Sequence, residues 1–393
     1  MAIYNVINVG QGDCIIIEPP DECQYSDEKI IIDLGPGDRD ITEFIGETDA
    51  LHIIITHHHK DHLGGLRFFS NRFAQIKEIT VPLYQNEITL IARAILNLKG
   101  INTSRNCNEF VNELKDIVRN QIELVSLSRK REKSPIISYA YENKKFCNHL
   151  VCLNPPQHIN SLDLINNANE NELIGLMSEL FTKSFAEEMA VYLRAQIREN
   201  YESVDYPNFY NFWLSLQNDY ERSISLSKCN FVLSFIIDNL VLLRMFNDNS
   251  SRKNLNRIYS KYVEASHNVC IVLRTQYDKA TMLHTGDASK KVFNRLIKEG
   301  QDISARYLKM PHHGSKYNIS QKILNAINPE IAIISHDNGH FGKSCDPHPN
   351  KETIELLNDN HIDVLCTNDV IKNNITHRKN KCGYRDKYIE ISY

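Results

Sequence analysis

The chain has no excess of basic charge: 45 Lys and Arg stand against 49 Asp and Glu, a formal net charge of -4 over 393 residues. No global field draws it to nucleic acid, which argues against DNA coating but not against a nuclease whose groove or metals hold phosphates. Its 10 cysteines form no compact CxxC framework, so free thiols in a reducing compartment are expected. No signal-peptide pattern opens the sequence, where strand-like residues begin by Ile3. The most apolar later segment, residues 231–246, is interrupted by Asp238, Asn239 and Arg244 and reads as one buried helix, not a membrane span. These absences point to a cytoplasmic protein without a membrane partner. There is no short-period repeat, and Gly10-Gln11-Gly12 lacks the strand-to-helix context of a dinucleotide fingerprint.

What is present is concentrated in Thr56-His57-His58-His59-Lys60-Asp61-His62. Four metal-ligand side chains, His57, His59, Asp61 and His62, follow an Ile-rich run at 51–55 that reads as a buried strand, so its carboxyl end presents them. Four ligands so close together suit two neighbouring ions that share further ligands better than one closed tetrahedral ion. Gly64-Gly65 follows at once and permits close backbone approach.

The wider pattern is a β-rich stretch, a helical stretch and a second β-rich stretch. Strands are expected near 3–9, 14–17, 29–32, 51–55, 78–82, 121–126, 135–141 and 150–155, with helices at 66–73, 87–98 and 107–118. From 160 to 249 helical spacing dominates, including 172–181, 185–199 and 208–219. Trp213 with Phe209, Tyr210, Phe212 and Tyr220 is either a base-stacking platform or, the favoured reading, a buried helix face. Strand and helix alternate again from 268 to 366. Two glycine-punctuated β-rich halves suit an α/β (α+β) αββα sandwich with the ligands between its sheets. The expected division is a catalytic core at 1–156 and 262–393 and a mostly helical insertion at 157–261, which either shapes the mouth of the site or binds a protein partner. No oligomeric state follows from the sequence.

The pattern His57-x-His59-x-Asp61-His62 resembles the signature of the metallo-β-lactamase fold, whose members are mostly dinuclear metallohydrolases. Three further blocks, Val9-Gly10-Gln11-Gly12-Asp13, Ile32-Asp33-Leu34-Gly35 and Pro311-His312-His313-Gly314-Ser315, resemble the soluble hydrolase domain of the competence protein family, which accompanies a DNA-uptake channel. The resemblance covers about 1–85 and 266–374. It implies that Asp287, in Thr285-Gly286-Asp287, bridges two cations, and that His312 or His313 joins Asp61 and His62 on one of them, with His313 preferred. The other histidine of that pair then contacts substrate or donates a proton. His267 is the candidate to complete the His57 and His59 site, with Asn268 as the alternative, and His348 either contacts substrate, acts as a general acid or caps a helix. Asp13 and Asp33 either cap turns or orient ligand histidines.

Two divalent ions are therefore expected. Zinc is favoured by the His-rich shell, and manganese also suits shared Asp and His ligands. The leading expectation is a phosphodiesterase acting on nucleic acid or a nucleotide through a metal-bridging hydroxide, with no serine or cysteine nucleophile. The alternatives are a hydrolase of a β-lactam, lactone or other small ester, and a catalytically inactive interaction module.

Overall fold

The structure is a computed structural model that describes all residues except 1, 47–48, 70, 100, 102–107, 128–134, 148, 160–169, 199–219, 278–279, 338–347, 369–387 and 393. Its chain forms two compact units, one comprising Met1–Leu83, Ile122–Pro155 and His267–Tyr393, the other Tyr84–Gln121 and Pro156–Ser266.

Among its described residues the first unit contains fourteen strands: β1 Ile3–Ile7, β2 Ile15–Glu18, β3 Glu28–Ile32, β4 Ala50–Ile54, β5 Ile76–Pro82, β6 Ile136–Ala140, β7 Lys145–Cys147, β8 Leu150–Asn154, β9 Val272–Tyr277, β10 Ala280–His284, β11 Tyr307–Lys309, β12 Ile331–Ile334, β13 Asp363–Cys366 and β14 Tyr388–Ser392. They make two seven-stranded sheets, ordered β14-β1-β2-β3-β4-β5-β6 and β13-β12-β11-β10-β9-β8-β7. Each sheet is antiparallel at one end and parallel at the other: β3 to β6 run parallel in the first, and β10 to β13 in the second.

Successive residues of a strand face opposite sides, and here both sides are apolar. Ile15, Ile17, Ile30, Ile32 and Ile54 pack between the sheets with Leu150, Leu273, Met282 and Ile333. The alternate residues Ile16, Ile31 and Ile53 face outward onto Leu63, Leu66, Phe69 and Leu124. On the outer face of the second sheet, Val292, Phe293, Ile323, Leu324, Ile354 and Leu357 come from the helices Lys290–Lys298, Gln321–Ile327 and Lys351–Asp359. This is the expected αββα sandwich.

The second unit is helical, built from Gln85–Leu96, most of Asn108–Leu127, Glu170–Leu180, Lys183–Arg198, Tyr220–Asp238, Leu240–Asp248 and Arg252–Asn268 up to Ser266. The Tyr84 hydroxyl hydrogen-bonds Ser227 Oγ at 2.8 Å, and its ring packs 5.3 Å from that of Phe231. The unit takes in Tyr84–Gln121, so it draws on two stretches of chain where one insertion at 157–261 was expected.

Several local expectations are corrected. Residues 121–126 are not a strand but the last turns of Asn108–Leu127. The alternation of Ile122 and Leu124 imitates a strand, whereas Leu114, Ile117 and Leu124 fall on one helical stripe. Residues 231–246 are not one helix: Ser227–Asp238 and Leu240–Asp248 meet at 55°. At that bend the Asn239 side-chain amide donates to the Phe235 carbonyl at 2.8 Å and competes with the helical ladder. No single described helix is long and apolar enough to cross a membrane. Residues 66–73 form 3₁₀ turns, Gly64–Phe69 and Phe73–Gln75, and β7, β14 and the charged helix Arg252–Asn268 were not anticipated. The 208–219 helix with Trp213 lies outside the described residues.

Three loops meet backbone to backbone below the sandwich cleft. Asp13 N–H donates to Asp61 O at 3.2 Å, Gly35 N–H to Asp13 O at 2.9 Å, Leu34 N–H to His62 O at 2.7 Å and Gly65 N–H to Gly35 O at 3.0 Å. A Cβ on Gly65 would lie 2.0 Å from Leu34 O, a backbone atom that cannot swing aside. Gly65→Ala is therefore expected to destabilise the protein by about 1–3 kcal/mol, seen as a lower unfolding midpoint. Gly175→Ala, in a helix with nothing within 4 Å of the added methyl, is expected to be neutral or stabilising.

Candidate metal centre

The loops bearing the candidate residues all leave the same end of the sandwich. Asp13 follows β1, Asp33 follows β3, and His57 to His62 follow β4. Asp287 follows β10, His312 and His313 follow β11, and His267 closes the helix Arg252–Asn268 that leads into β9. Carboxyl ends of parallel strands are where such sheets place their sites.

Among the described residues, Asp13, Asp33 and His62 form one group of possible ligand atoms, and two larger groups lie beside it, each within 4.8 Å of one another: His57, His59, His267 and Asp287, and Asp61, His62, Asp287 and His313. Asp287 belongs to both. Its Oδ2 lies 3.6 Å from the Nε2 atoms of His57 and His267. Its Oδ1 lies 3.4 Å from His62 Nε2 and 3.8 Å from His313 Nε2. Asp61 Oδ2 is 3.2 Å from His313 Nε2 and 3.8 Å from His62 Nε2.

The groups suit cations on the evidence of their own polar atoms. Nε2 of His57, His62 and His267 and Oδ1 of Asp287 are buried without a hydrogen-bond partner. Buried polar atoms are ordinarily satisfied, and leaving several unsatisfied is costly unless something else binds them. Imidazole nitrogens and carboxylate oxygens around one point are the donor set of a first-row or comparable divalent ion.

Of the pair left open by the sequence, His313 joins Asp61 and His62. His312 lies on the opposite side of Asp287, with Nε2 3.6 Å from Oδ2, and its side chain is 19% exposed. Its Nδ1 faces Asn318 Oδ1 at 3.3 Å, and Asn318 in turn donates to the carbonyls of Asp287 and Ala288. Both histidines adopt left-handed backbone, φ +47° and +53°, just before Gly314 at +84°. Such strain persists only where the surroundings fix it, and here it aims neighbouring imidazoles at the two sides of one carboxylate. His348 packs against His312, its ring tilted 38° to it with centroids 4.9 Å apart. Burial, and next His312, push His348 down to about 3. That favours the neutral imidazole, a form that can contact substrate.

His267, and not Asn268, enters the first group. Asn268 is engaged elsewhere, its Oδ1 accepting from Ser289 Oγ at 2.5 Å. His267 lies at a helix end instead of the strand entrance the sequence suggested. Asp13 and Asp33 both lie behind ligands. Asp33 accepts from His62 Nδ1, Thr56 N and Thr56 Oγ, each at 2.7 Å. Asp13 pairs with the buried Lys309 ammonium at 2.6 Å and lies 3.5 Å from His313 Nδ1.

Sequence reasoning missed Lys309, Thr56, Cys270 and Asn318. Only Lys309 carried a signal, as a charge set between the apolar Leu308 and Met310.

The histidines divide electrostatically. Burial lowers His57 and His267 well below the ordinary value and His59 to about 4, so all three are neutral at pH 7. Burial also opposes charge on His62 and His313. Asp287, Asp33 and Asp61 outweigh it at His62, and Asp287, Asp13 and Asp61 outweigh it at His313, so both are raised.

A two-layered sandwich with such a cluster at the carboxyl ends of its strands is the architecture of a metallo-β-lactamase fold. Residues 7–88 match the family model described as Metallo-beta-lactamase superfamily, a superfamily whose members are mostly metal-dependent hydrolases. No curated protein matches the chain.

A protonated imidazole cannot ligate a cation, so binding to the Asp61, His62, Asp287 and His313 group must expel protons. Apparent affinity there is expected to rise with pH through the neutral range, and calorimetry in buffers of different ionisation enthalpy is expected to register proton release. A pH-independent affinity would contradict raised proton affinity at His62 and His313.

Proposed function

We propose that this chain is a dinuclear metal-dependent hydrolase of phosphodiesters, of the nuclease or nucleotide-hydrolase class. The observation that carries the reading is the Asp287 carboxylate, each of whose oxygens faces a separate group of ligands. His57, His59, His267 and Asp287 would hold one divalent cation; Asp61, His62, Asp287 and His313 would hold the other. Bound divalent cations supply Lewis acidity, which activates water and neutralises the charge on a phosphate undergoing displacement. Zinc is the first candidate and manganese the second.

The chain's own side chains supply orientation and a proton. Asp33 fixes His62 through Nδ1, and the Ser335 carbonyl fixes His313 at 3.0 Å, leaving both Nε2 atoms turned to the centre. His312 belongs to neither cation group and is partly exposed, so it is placed to serve the leaving oxygen. With Nδ1–H held by Asn318 Oδ1, Nε2 is the nitrogen that gives up and regains the proton. A phosphodiester needs this combination because its own negative charge repels a nucleophile. The extra imidazoles of His312 and His348 beside the cation groups support a phosphate over a neutral ester.

The test is hydrolysis of bis-p-nitrophenyl phosphate, single-stranded DNA, RNA and a β-lactam in parallel, with zinc and with manganese. Cleavage of the phosphodiesters is expected, and β-lactam turnover alone would overturn the reading. Asp61→Ala should lower activity by more than the roughly 10–100-fold typical of a residue behind a ligand, with the circular dichroism unchanged. His312→Ala is expected to lower kcat about 100-fold or more while two metals per chain remain by elemental analysis.

A further inference from the structure

We infer that the two cation positions fill in order: the Asp61, His62, Asp287 and His313 position first, and the His57, His59, His267 and Asp287 position second and exchangeably. The inference rests on the two-cation reading above and concerns how unequally the chain backs the two positions.

Behind the first-filled position the backing is anionic and rigid. His62 Nδ1 donates to Asp33 at 2.7 Å. The Asp33 carboxyl accepts three hydrogen bonds, from His62 and from both donors of Thr56, the pattern of an ionised group with no proton of its own to place. His313 Nδ1 donates to the Ser335 carbonyl at 3.0 Å. The Asp13–Lys309 pair ties together the two sheets that supply this position. Asp13 N–H holds the Asp61 carbonyl at 3.2 Å, whereas Lys309 lies on β11, immediately before the loop of His313. Because Lys309 cancels the charge of Asp13, the pair fixes geometry without adding net charge.

Behind the other position the backing is weak at His57. Its Nδ1 finds Thr56 Oγ at 3.3 Å and Cys270 Sγ at 3.8 Å. The threonine hydroxyl, which donates its hydrogen to Asp33, can still accept from His57 Nδ1–H, but as a neutral oxygen at 3.3 Å it backs the ring less than a carboxylate would, and a thiol is a weak acceptor. Cys270 also accepts from Asp287 N–H at 3.3 Å, so one soft sulfur serves both a ligand ring and the bridging residue's backbone. Ligand histidines usually donate to a carboxylate or carbonyl, which raises their basicity, and losing such a partner costs about 10–100-fold in metal affinity. The charge count runs the same way. The first position is faced by Asp61 and Asp287 with Asp33 behind it, the second by the shared Asp287 alone.

The experiment titrates the full-length, metal-stripped protein with Co²⁺ under alkaline conditions, where proton competition is least, following visible absorption and calorimetric heat. Two steps are expected, the second about 10–100-fold weaker. His267→Ala should keep the tight step and lose the weak one, and His313→Ala should lose the tight step. Cys270→Ser, a near-isosteric change that gives His57 a harder acceptor, should tighten the weak step by about 2–10-fold and the tight step by less. Loss of the tight step in His267→Ala, two steps of equal affinity, or a Cys270→Ser protein with both steps unchanged would overturn the ordering. Fewer than two equivalents bound by the wild-type protein would instead remove the two-cation reading on which it rests.

Discussion

The carboxylate of Asp287 must satisfy imidazoles on both of its sides, and much of the first unit is arranged to let it do so. A buried carboxylate among buried imidazoles is unfavourable in isolation, and its neighbours make it tenable only from several directions at once. That demand explains why the contributing loops come from both sheets and from one end of the sandwich. Neither sheet alone presents enough ligands: the first supplies His57, His59, Asp61 and His62, while Asp287 and His313 follow strands of the second. The apolar layer between the sheets therefore does more than bury area, because it fixes the separation across which the ligands meet.

Loop conformation serves the same end. Gly12, Gly64 and Gly65 bring backbone against backbone at distances no Cβ would allow, so the segment from His57 to Gly65 is braced by the loops after β1 and β3. On the other sheet, the left-handed backbone of His312 and His313 turns two adjacent rings to opposite sides of Asp287. Strain in one place and steric economy in another thus serve a single geometry.

Legibility in the sequence followed the strength of local pattern. The Ile-rich strands and the interleaved His57, His59, Asp61 and His62 were readable because continuous apolar runs and ligand spacing are local properties. Asp13 and Asp33 were visible as candidates, but their roles depended on meeting Lys309 and His62 across the fold. Residues 121–126 misled because a short alternating run carries no information about the helix that precedes it. The helix Arg252–Asn268 was hidden by its charge, and its last turn carries His267. Thr56, Cys270 and Asn318 act through hydrogen bonds that no residue-type pattern announces.

The pairing of β14 with β1, Ile3 opposite Ser392 and Ile7 opposite Tyr388, bears on how the protein comes into being. During synthesis β1 emerges well before its outer neighbour β14, with the rest of both units lying between them in the chain. Until then that side of β1 is an exposed ladder of unpaired amides and carbonyls, a template for pairing with another chain. Residues 57 and 313 are likewise separated in the chain by the helical unit, so the candidate metal centre cannot assemble until residue 313 has left the ribosome. Folding dominated by such distant pairings is slow and prone to aggregation. The β1 edge is thus the place where a nascent chain stays open to pairing with another chain until β14 is made.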